Sequence, residues 1–213
     1  RAAQYDYNNF KGLIVLVQYQ DKQFSRDDFH DYVYDMVNQE NYTGYQKTNG
    51  QFVPCTGSVR DYFSDNSGGK FKPEVDVVGP YNVSYSQYDG GSYSAEIINS
   101  ALDQADLDVD FSQYDGDGDG YVDLVFFILA GNGANYSGND GRLWWPHRSI
   151  IYKPGSWDWM VQKDGVVLYD YASSVELAGY TSWPSSVQLD GIGTICHEFS
   201  HVLGLPDFYD ANY

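Results

Sequence analysis

The eleven residues from His197 to Asp207, HEFSHVLGLPD, constrain the fold more than any other part of the chain. On an α-helix, residues four positions apart lie on one face, one turn above the other, so His197 and His201 would project side by side. Gly204 lets the chain leave the helix in a sharp turn, and Pro206 keeps the next residues extended. Asp207 can then swing back toward the histidines. The segment therefore predicts a helix that ends beside a cluster of metal-binding side chains.

The pattern HExxH at positions 197–201 is typical of a zinc site. Two imidazoles at this spacing can both reach one zinc ion at about 2.0–2.1 Å. Glu198 follows the first ligand and projects to the side of the metal, where a general base can contact a zinc-activated water. Asp207 is the favoured third ligand, and Asp210, in the same acidic turn, is its rival. The less favoured alternative is a buried His/Glu network on an ordinary helix with a glycine cap.

Apolar residues on both sides of the motif predict that this helix packs on a core. Histidines and a glutamate on such a helix need polar partners, and a metal ion provides them. The helix also contains Cys196, one of only two cysteines, where a bridge to Cys55 would be awkward. We therefore favour two free thiols over one disulfide.

The composition excludes several classes of partner. Acidic residues outnumber basic ones 30 to 12, which gives a formal net charge of -18. Nucleic acid and anionic membrane surfaces attract basic proteins, so neither is an expected partner. Apolar residues still make up 42% of the chain and aromatic residues 17%, enough for a packed core rather than disorder. The longest apolar run, Leu124 to Ala130, is far short of the ~20 residues of a membrane-spanning helix.

Strand-like segments alternate with helix-like ones, which predicts an α/β (α+β) layered fold. The segment at 121–130 is apolar enough to lie centrally in a sheet, whereas Pro73, Gly79 and Pro80 predict that the segment at 71–86 is an edge strand or in pieces. The predicted strands are Gly12–Tyr19, Phe71–Ser86 and Tyr121–Ala130, with a hairpin at Trp157–Ala172 that turns at Lys163-Asp164-Gly165.

Four helices are predicted from capping residues and from apolar spacing. Arg60 and Asp61, within the second of them, are interpreted as a surface pair. His30 is interpreted as part of a solvated helix face. His147 follows two tryptophans and a proline, and we favour a packed or surface histidine over one near the cleft. The predicted helices are Ser25–Asn38, Gly57–Phe63, Ser94–Ala105 and Asp190–Gly204.

A run of aspartates precedes the central strand, and no lysine or arginine occurs between Lys72 and Arg142. Crowded carboxylates repel one another, and a divalent cation relieves that cost. The DGDGDG sequence resembles the start of a calcium loop, although Phe126 stands where an EF-hand has its last glutamate. Asp108 or Asp110 would have to complete the shell, and the alternative is a solvated acidic turn. The expected calcium ligands are Asp115, Asp117, Asp119, the carbonyl of Tyr121 and Asp123.

The string HEFSHVLGLPDFYD resembles the M6 peptidases, the immune inhibitor A-like family, within the metzincin-like zinc peptidases. Three further stretches are similar to that family: GSVRDYFSDNSGGKF at 57–71, DVVGPYNV at 76–83 and DGDGDGYVDLVFFILAG at 115–131. The resemblance implies a twisted mixed sheet with helices packed on it and an active-site helix that carries HExxH. It also implies His197, His201 and Asp207 as zinc ligands and Glu198 as the base.

The sequence departs from the metzincin pattern in one respect. Those enzymes carry a methionine turn after the zinc helix, but the two methionines here, Met36 and Met160, both precede it. We therefore expect residues 1–213 to be a metalloprotease catalytic domain that lacks its lower C-terminal part. The first residue is Arg1 rather than methionine, and we expect a secreted or extracellular protein, with the cell surface as one location, from which a signal or pro-segment has been removed.

The expected function is that of a secreted zinc-dependent endopeptidase acting on protein or peptide substrates. In this interpretation a zinc-activated water hydrolyses the peptide bond, and Glu198 acts as the general base. The rival hypothesis is a non-catalytic calcium-dependent binding module of an extracellular protein, which rests on the aspartate loop, the aromatic residues expected on the surface and the absent lower part. Metal content would separate the two, because zinc supports the enzyme and calcium alone supports the module.

Overall fold

The computed structural model describes residues 5–157 and 159–207. The described residues form ten strands and four α-helices. The strands are β1 (Lys11–Tyr19), β2 (Gly44–Gln46), β3 (Phe52–Pro54), β4 (Glu74–Val83), β5 (Leu124–Asn132), β6 (His147–Ile150), β7 (Val161–Lys163), β8 (Val166–Leu168), β9 (Asp170–Ala178) and β10 (Gln188–Leu189). The helices are α1 (Phe29–Asn38), α2 (Val59–Asn66), α3 (Ser94–Ala105) and α4 (Ile192–Val202).

One mixed sheet organises the fold, with the strand order β10-β9-β5-β1-β4 and with β6 also paired to β9. The pairs β1–β4, β1–β5 and β5–β9 are parallel, whereas β6 and β10 run antiparallel to β9. Parallel neighbours need long crossover connections, and α1 to α3 lie within these connections. The predicted α/β fold with a mixed sheet and packed helices is confirmed, and β5 is the central strand as expected.

Two apolar cores lie on opposite faces of the sheet. Successive residues of β5 alternate between them: Val125 and Phe127 pack on the α3 side, and Phe126 and Ile128 pack on the side of α1, α2 and α4. Both faces are therefore covered, which explains the nearly continuous apolar sequence of this strand. Its start at Leu124 is later than predicted because the preceding residues form the acidic loop.

Helix α4 is held on the sheet by aromatic contacts on its inner face. The ring of Phe199 lies 4.6 Å from that of Phe63 and 5.5 Å from that of Phe10, centroid to centroid. Ile195 and Val202 are buried in the same core. The inner face of α4 is thus fixed, and the two histidines of the helix lie on the side that remains accessible.

Strand β4 is one continuous edge strand, so the alternative of a strand in pieces was wrong. Its outer edge is covered by two side chains of α1, which bond to backbone groups of the strand. The side-chain oxygen of Asn38 accepts a hydrogen bond from the N–H of Val75 at 3.1 Å. Its side-chain nitrogen donates to the carbonyl of Val75 at 2.8 Å. His30 Nε2 donates to the carbonyl of Val77 at 2.8 Å. His30 thus covers the strand edge while its side chain stays 42% exposed on the helix face, as expected.

Three helix starts differ from the prediction. Helix α4 begins at Ile192, and its N-cap is Gly191 rather than Asp190. Helix α1 begins at Phe29 rather than Ser25, and no side chain caps it. The backbone N–H of Ser25 instead donates to the Glu176 carboxylate at 2.5 Å.

Helix α2 begins after Ser58, which forms a capping box with Asp61. Arg60 pairs with Glu40 instead, so Arg60 and Asp61 do not form the expected surface pair, and neither residue lines the cleft described below.

Candidate active site

Helix α4 places His197 and His201 on one accessible face. Their Nε2 atoms lie 3.1 Å apart, and their rings meet edge to face at a centroid distance of 4.6 Å. The helix ends at Val202, and Gly204 has φ +95°, a left-handed conformation that favours glycine. The backbone N–H groups of Gly204 and Leu205 donate back to the helix, so the chain turns sharply beside the histidines.

The turn brings Asp207 back to the histidine pair. Its Oδ1 lies 3.3 Å from His201 Nε2 and 3.6 Å from His197 Nε2. Three ligands at about 2.0–2.1 Å from a tetrahedral zinc ion would lie roughly 3.3–3.4 Å from one another. The three donor atoms form a triangle close to that size, and two imidazoles with one carboxylate are donors that zinc prefers. Asp210, the rival third ligand, lies outside the described residues.

Glu198 is a buried carboxylate beside this triangle. The residue is only 7% exposed, and its Oε1 lies 4.0 Å from His197 Nε2. Burial raises the pKa of Glu198 above its ordinary value. The charges of His197 and His201 oppose this effect, and the charge of Asp207 adds to it. A carboxylate with a raised pKa next to a metal-binding cluster can accept and return a proton.

A cleft of about 690 Å³ opens over these side chains. Helix α4 and the turn after it form one wall, and the start of β6, the two residues before it and the start of β9 form the other. Of this second wall, the sequence singles out His147 alone, and only as the less favoured alternative. The residues of the second wall are Trp145, Pro146, His147, Arg148 and Asp170.

His147 is held in this wall by several polar contacts. Its Nδ1 donates to the carbonyl of Trp145 at 2.5 Å, and its Nε2 accepts from the hydroxyl of Tyr171 at 2.7 Å. The ring stacks on Trp144, whose indole N–H donates to Ser173 at 2.9 Å. Burial lowers the pKa of His147, and the hydrogen bond to Trp145 opposes that effect. The expected packed histidine is thus also part of the cleft.

The aspartate loop lies apart from the cleft, before β5. Carboxylate oxygens of Asp115, Asp117 and Asp119 lie within 4.8 Å of one another. Asp115 accepts from the N–H groups of Asp119 and Gly120, at 3.0 and 2.9 Å, which curls the loop around these oxygens. The structure therefore brings together three of the five expected calcium ligands.

The other expected members of the loop are placed differently. Asp123 is 1% exposed, and its Oδ2 accepts from the N–H of Gly116 at 3.1 Å inside the loop. Burial raises the pKa of Asp123 to about 6, and the charges of Asp117 and Asp115 add to this. The backbone of Tyr121 bridges to Val167. The two aspartates that were expected to complete the calcium shell have other hydrogen-bond partners. Asp108 accepts from the hydroxyl of Tyr81, and Asp110 accepts from the hydroxyl of Ser112.

Both cysteines are free, with Cys55 half-buried and Cys196 buried inside α4. Burial raises the pKa of the Cys196 thiol to about 12, so the thiol is neutral and behaves as a small apolar side chain. The favoured interpretation of two free thiols agrees with the structure.

The chain has recognisable relatives. The family model described as "Immune inhibitor A peptidase M6, catalytic domain" matches residues 6–213. Immune inhibitor A of Bacillus thuringiensis subsp. alesti is 28% identical over 245 aligned positions, which cover 98% of this chain and 34% of that protein. Pre-pro-metalloprotease PrtV of Vibrio cholerae serotype O1 is 28% identical over 198 positions, which cover 80% of this chain and 20% of that protein. The chain thus spans about a third and a fifth of the lengths of these relatives.

Proposed function

The chain belongs to the immune inhibitor A peptidase M6 family of metallopeptidases, and on this premise we propose that it is a zinc-dependent endopeptidase. The observation that supports this most strongly is the triangle formed by Nε2 of His197, Nε2 of His201 and Oδ1 of Asp207, with sides of 3.1 to 3.6 Å. Proteins are the proposed substrates. Among the described residues no helix is long and apolar enough to cross a bilayer.

Each residue of the site has a distinct task in this proposal. When bound, zinc would supply a Lewis acid that polarises the scissile carbonyl and acidifies a water molecule. Glu198 accepts the proton of that water at its carboxylate and later donates it to the departing amine. His197, His201 and Asp207 would hold the metal. The hydrogen bond from His201 Nδ1 to the Leu205 carbonyl, 2.7 Å long, keeps the Nε2 lone pair directed toward the site.

The second wall of the cleft supports cleavage within a chain rather than at its end. Strand β6 pairs with β9 along one edge, and His147 and Arg148 of β6 line the cleft. An extended peptide can add to such an edge by backbone hydrogen bonds and continue in both directions. This arrangement favours an endopeptidase.

We also propose that the protein is secreted and that the aspartate loop binds calcium. The relative named a pre-pro-metalloprotease supports secretion, because that name describes a precursor. Asp123 supports the calcium site, because a carboxylate that is 1% exposed and faces two other aspartates is costly to ionise without a cation. The rival hypothesis of a calcium-dependent binding module leaves the His–Asp triangle and the buried Glu198 without a role.

Glu198→Gln tests the proposed function. The variant keeps the size of the side chain and removes its basicity, so the rate of casein hydrolysis should fall by at least ~10²–10⁴-fold. Zinc content measured on the same samples should equal that of the parent protein, because Glu198 is not a ligand in the proposal. Casein hydrolysis within about twofold of the parent rate would remove Glu198 from the mechanism.

A further inference from the structure

Arg148 is the one lysine or arginine among the described residues that line the cleft. The other charged side chains around it are acidic: Asp170 in the same wall, and Glu198 and Asp207 in the opposite one. Arg148 is therefore the residue of the cleft that is best suited to bind an anionic group.

The side chain of Arg148 stands on the same face of the sheet as the zinc helix. Neighbouring residues of a strand point to opposite faces, and His147 packs with Trp144 and Tyr171 on the α3 side. Arg148 pairs directly with Ala172 of β9, which belongs to the core on the α4 side. The guanidinium is therefore directed toward the side of the cleft where α4 carries its histidines.

Asp170 anchors the guanidinium without enclosing it. The Nη2 of Arg148 donates to Asp170 Oδ1, and Asp170 lies two residues before Ala172 and so on the same face of β9. The Asp170 side chain is 11% exposed, whereas that of Arg148 is 39% exposed. A guanidinium has five N–H donors in a rigid fork, and this contact uses one of them. The exposed part of the fork can still bind a carboxylate from the cleft.

Strand pairing determines which substrate group reaches that fork. If an extended peptide adds to the free edge of β6, its residue opposite Arg148 lies on the same face, with Cβ atoms about 4.5–5.5 Å apart. Opposite charges in such cross-strand pairs are favourable, and like charges directly opposite are destabilising. The side chain best suited to this position is a carboxylate.

We propose that Arg148 is a specificity-determining residue, which selects peptide substrates with an aspartate or glutamate at the position paired with it. The proposal rests on the proposed peptidase function. Asp170 already offsets much of the charge of Arg148, so selection depends on short-range hydrogen bonds rather than on long-range attraction. The preference for glutamate over glutamine should be about tenfold, the size expected of one charge-assisted hydrogen bond at a partly exposed position.

Peptide binding to the zinc-loaded Glu198→Gln protein tests this separately from catalysis. The probes are short, end-blocked peptides of one neutral host sequence with a single central Glu, Gln or Lys. The readout is the change in total tryptophan fluorescence, to which Trp145 in the cleft wall contributes. The Glu peptide should bind about tenfold more tightly than the Gln peptide, and the Lys peptide more weakly still. Equal dissociation constants for the Glu and Lys peptides would overturn the proposal.

Variants identify the residue responsible. Arg148→Gln combined with Asp170→Asn removes both charges, so no carboxylate is left without its cation at position 170. This double variant should bind the Glu and Gln peptides with equal dissociation constants. Arg142→Gln is the matched control, because Arg142 forms a similar ion pair with Asp140 but does not line the cleft. An unchanged preference in the double variant would assign the selectivity elsewhere.

Cleavage of the same peptides by the parent protein distinguishes the two proposals. If the parent cleaves none of them while the Glu peptide still binds most tightly, the peptidase function fails and the selectivity of Arg148 stands. If the parent cleaves all three with equal kcat/KM and binds them equally, the peptidase function stands and the role of Arg148 fails.

Discussion

The Nδ1 of His201 lies 2.7 Å from the carbonyl oxygen of Leu205, a residue beyond the end of the helix that carries the histidine. Since a carbonyl only accepts hydrogen bonds, Nδ1 carries the proton and the lone pair of the ring is on Nε2. The turn through Gly204 therefore orients one proposed zinc ligand as well as returning Asp207 to the site. Zinc affinity should accordingly depend on the conformation of this turn.

Gly204→Ala should weaken zinc binding by about tenfold, because a side chain at φ +95° costs roughly 1–2 kcal/mol, and a turn that relaxes moves Leu205 and Asp207 away. The space beyond the glycine is open, so the effect comes from backbone conformation and not from a clash. Competition with a chelator of known affinity measures the change.

Gly165→Ala is the control for that experiment. Gly165 has φ +83° and open space around it, but it lies in the β7–β8 hairpin, away from the cleft. The variant should lose stability to a similar extent and keep the zinc affinity of the parent. Equal loss of zinc affinity in both variants would show that the Gly204 turn has no specific role.

His147→Gln should change how the stability of the protein depends on pH. Burial lowers the pKa of His147, so the folded protein binds its proton less readily than the unfolded chain does. The contribution to stability is present above the ordinary histidine pKa of about 6.5 and is lost as the pH falls through the lower folded pKa. The parent should therefore lose more stability than the variant between about pH 7.5 and about pH 5.5.

Urea unfolding of both proteins at the two pH values measures this difference. The variant should be the less stable protein at the higher pH, because it loses the stacking on Trp144. The difference in unfolding free energy between the two proteins should become smaller as the pH falls. Between about pH 7.5 and about pH 8.5 this difference in unfolding free energy should stay constant, since histidine does not titrate there. A difference in stability that stays constant down to the lowest pH would contradict the assignment of a neutral, half-buried His147.

Calcium should raise the melting temperature, and Asp123→Asn should reduce that effect. A ligand that binds only the folded state adds ~2.7 kcal/mol at a hundred times its dissociation constant. Without calcium the asparagine variant should be the more stable protein near neutral pH, because burial makes the Asp123 charge costly. The asparagine variant should therefore have the higher melting temperature without calcium, and the parent should have the higher one when calcium is added. A melting temperature that neither calcium nor a calcium chelator changes would exclude the site.

The elements that the sequence predicts well are those with a strong local signal. Strand β1 and helix α3 have nearly the predicted limits, because an apolar run and a regular apolar spacing specify them locally. The arrangement of HExxH and Asp207 around one point was likewise predictable, because one helix and one turn build it.

The features that the sequence does not predict depend on partners far along the chain. Ser25 has the character of a helix cap, but its N–H binds Glu176, 151 residues away. The second cleft wall forms only when β6 pairs with β9, so neither Arg148 nor Asp170 carries a local signal of its role. His30 contacts a strand edge 47 residues away. Long-range pairing decides each of these roles.

Zinc titration of the metal-free protein tests the central claim most directly, namely that His197, His201 and Asp207 form one zinc site. The parent and the Glu198→Gln variant should each bind one equivalent of zinc, by calorimetry and by elemental analysis of the dialysed samples. His201→Ala and Asp207→Ala should bind far more weakly, because each removes one ligand of the triangle. A folded parent protein that retains less than about a tenth of an equivalent, or an Asp207→Ala variant that binds zinc as tightly as the parent, would contradict the account.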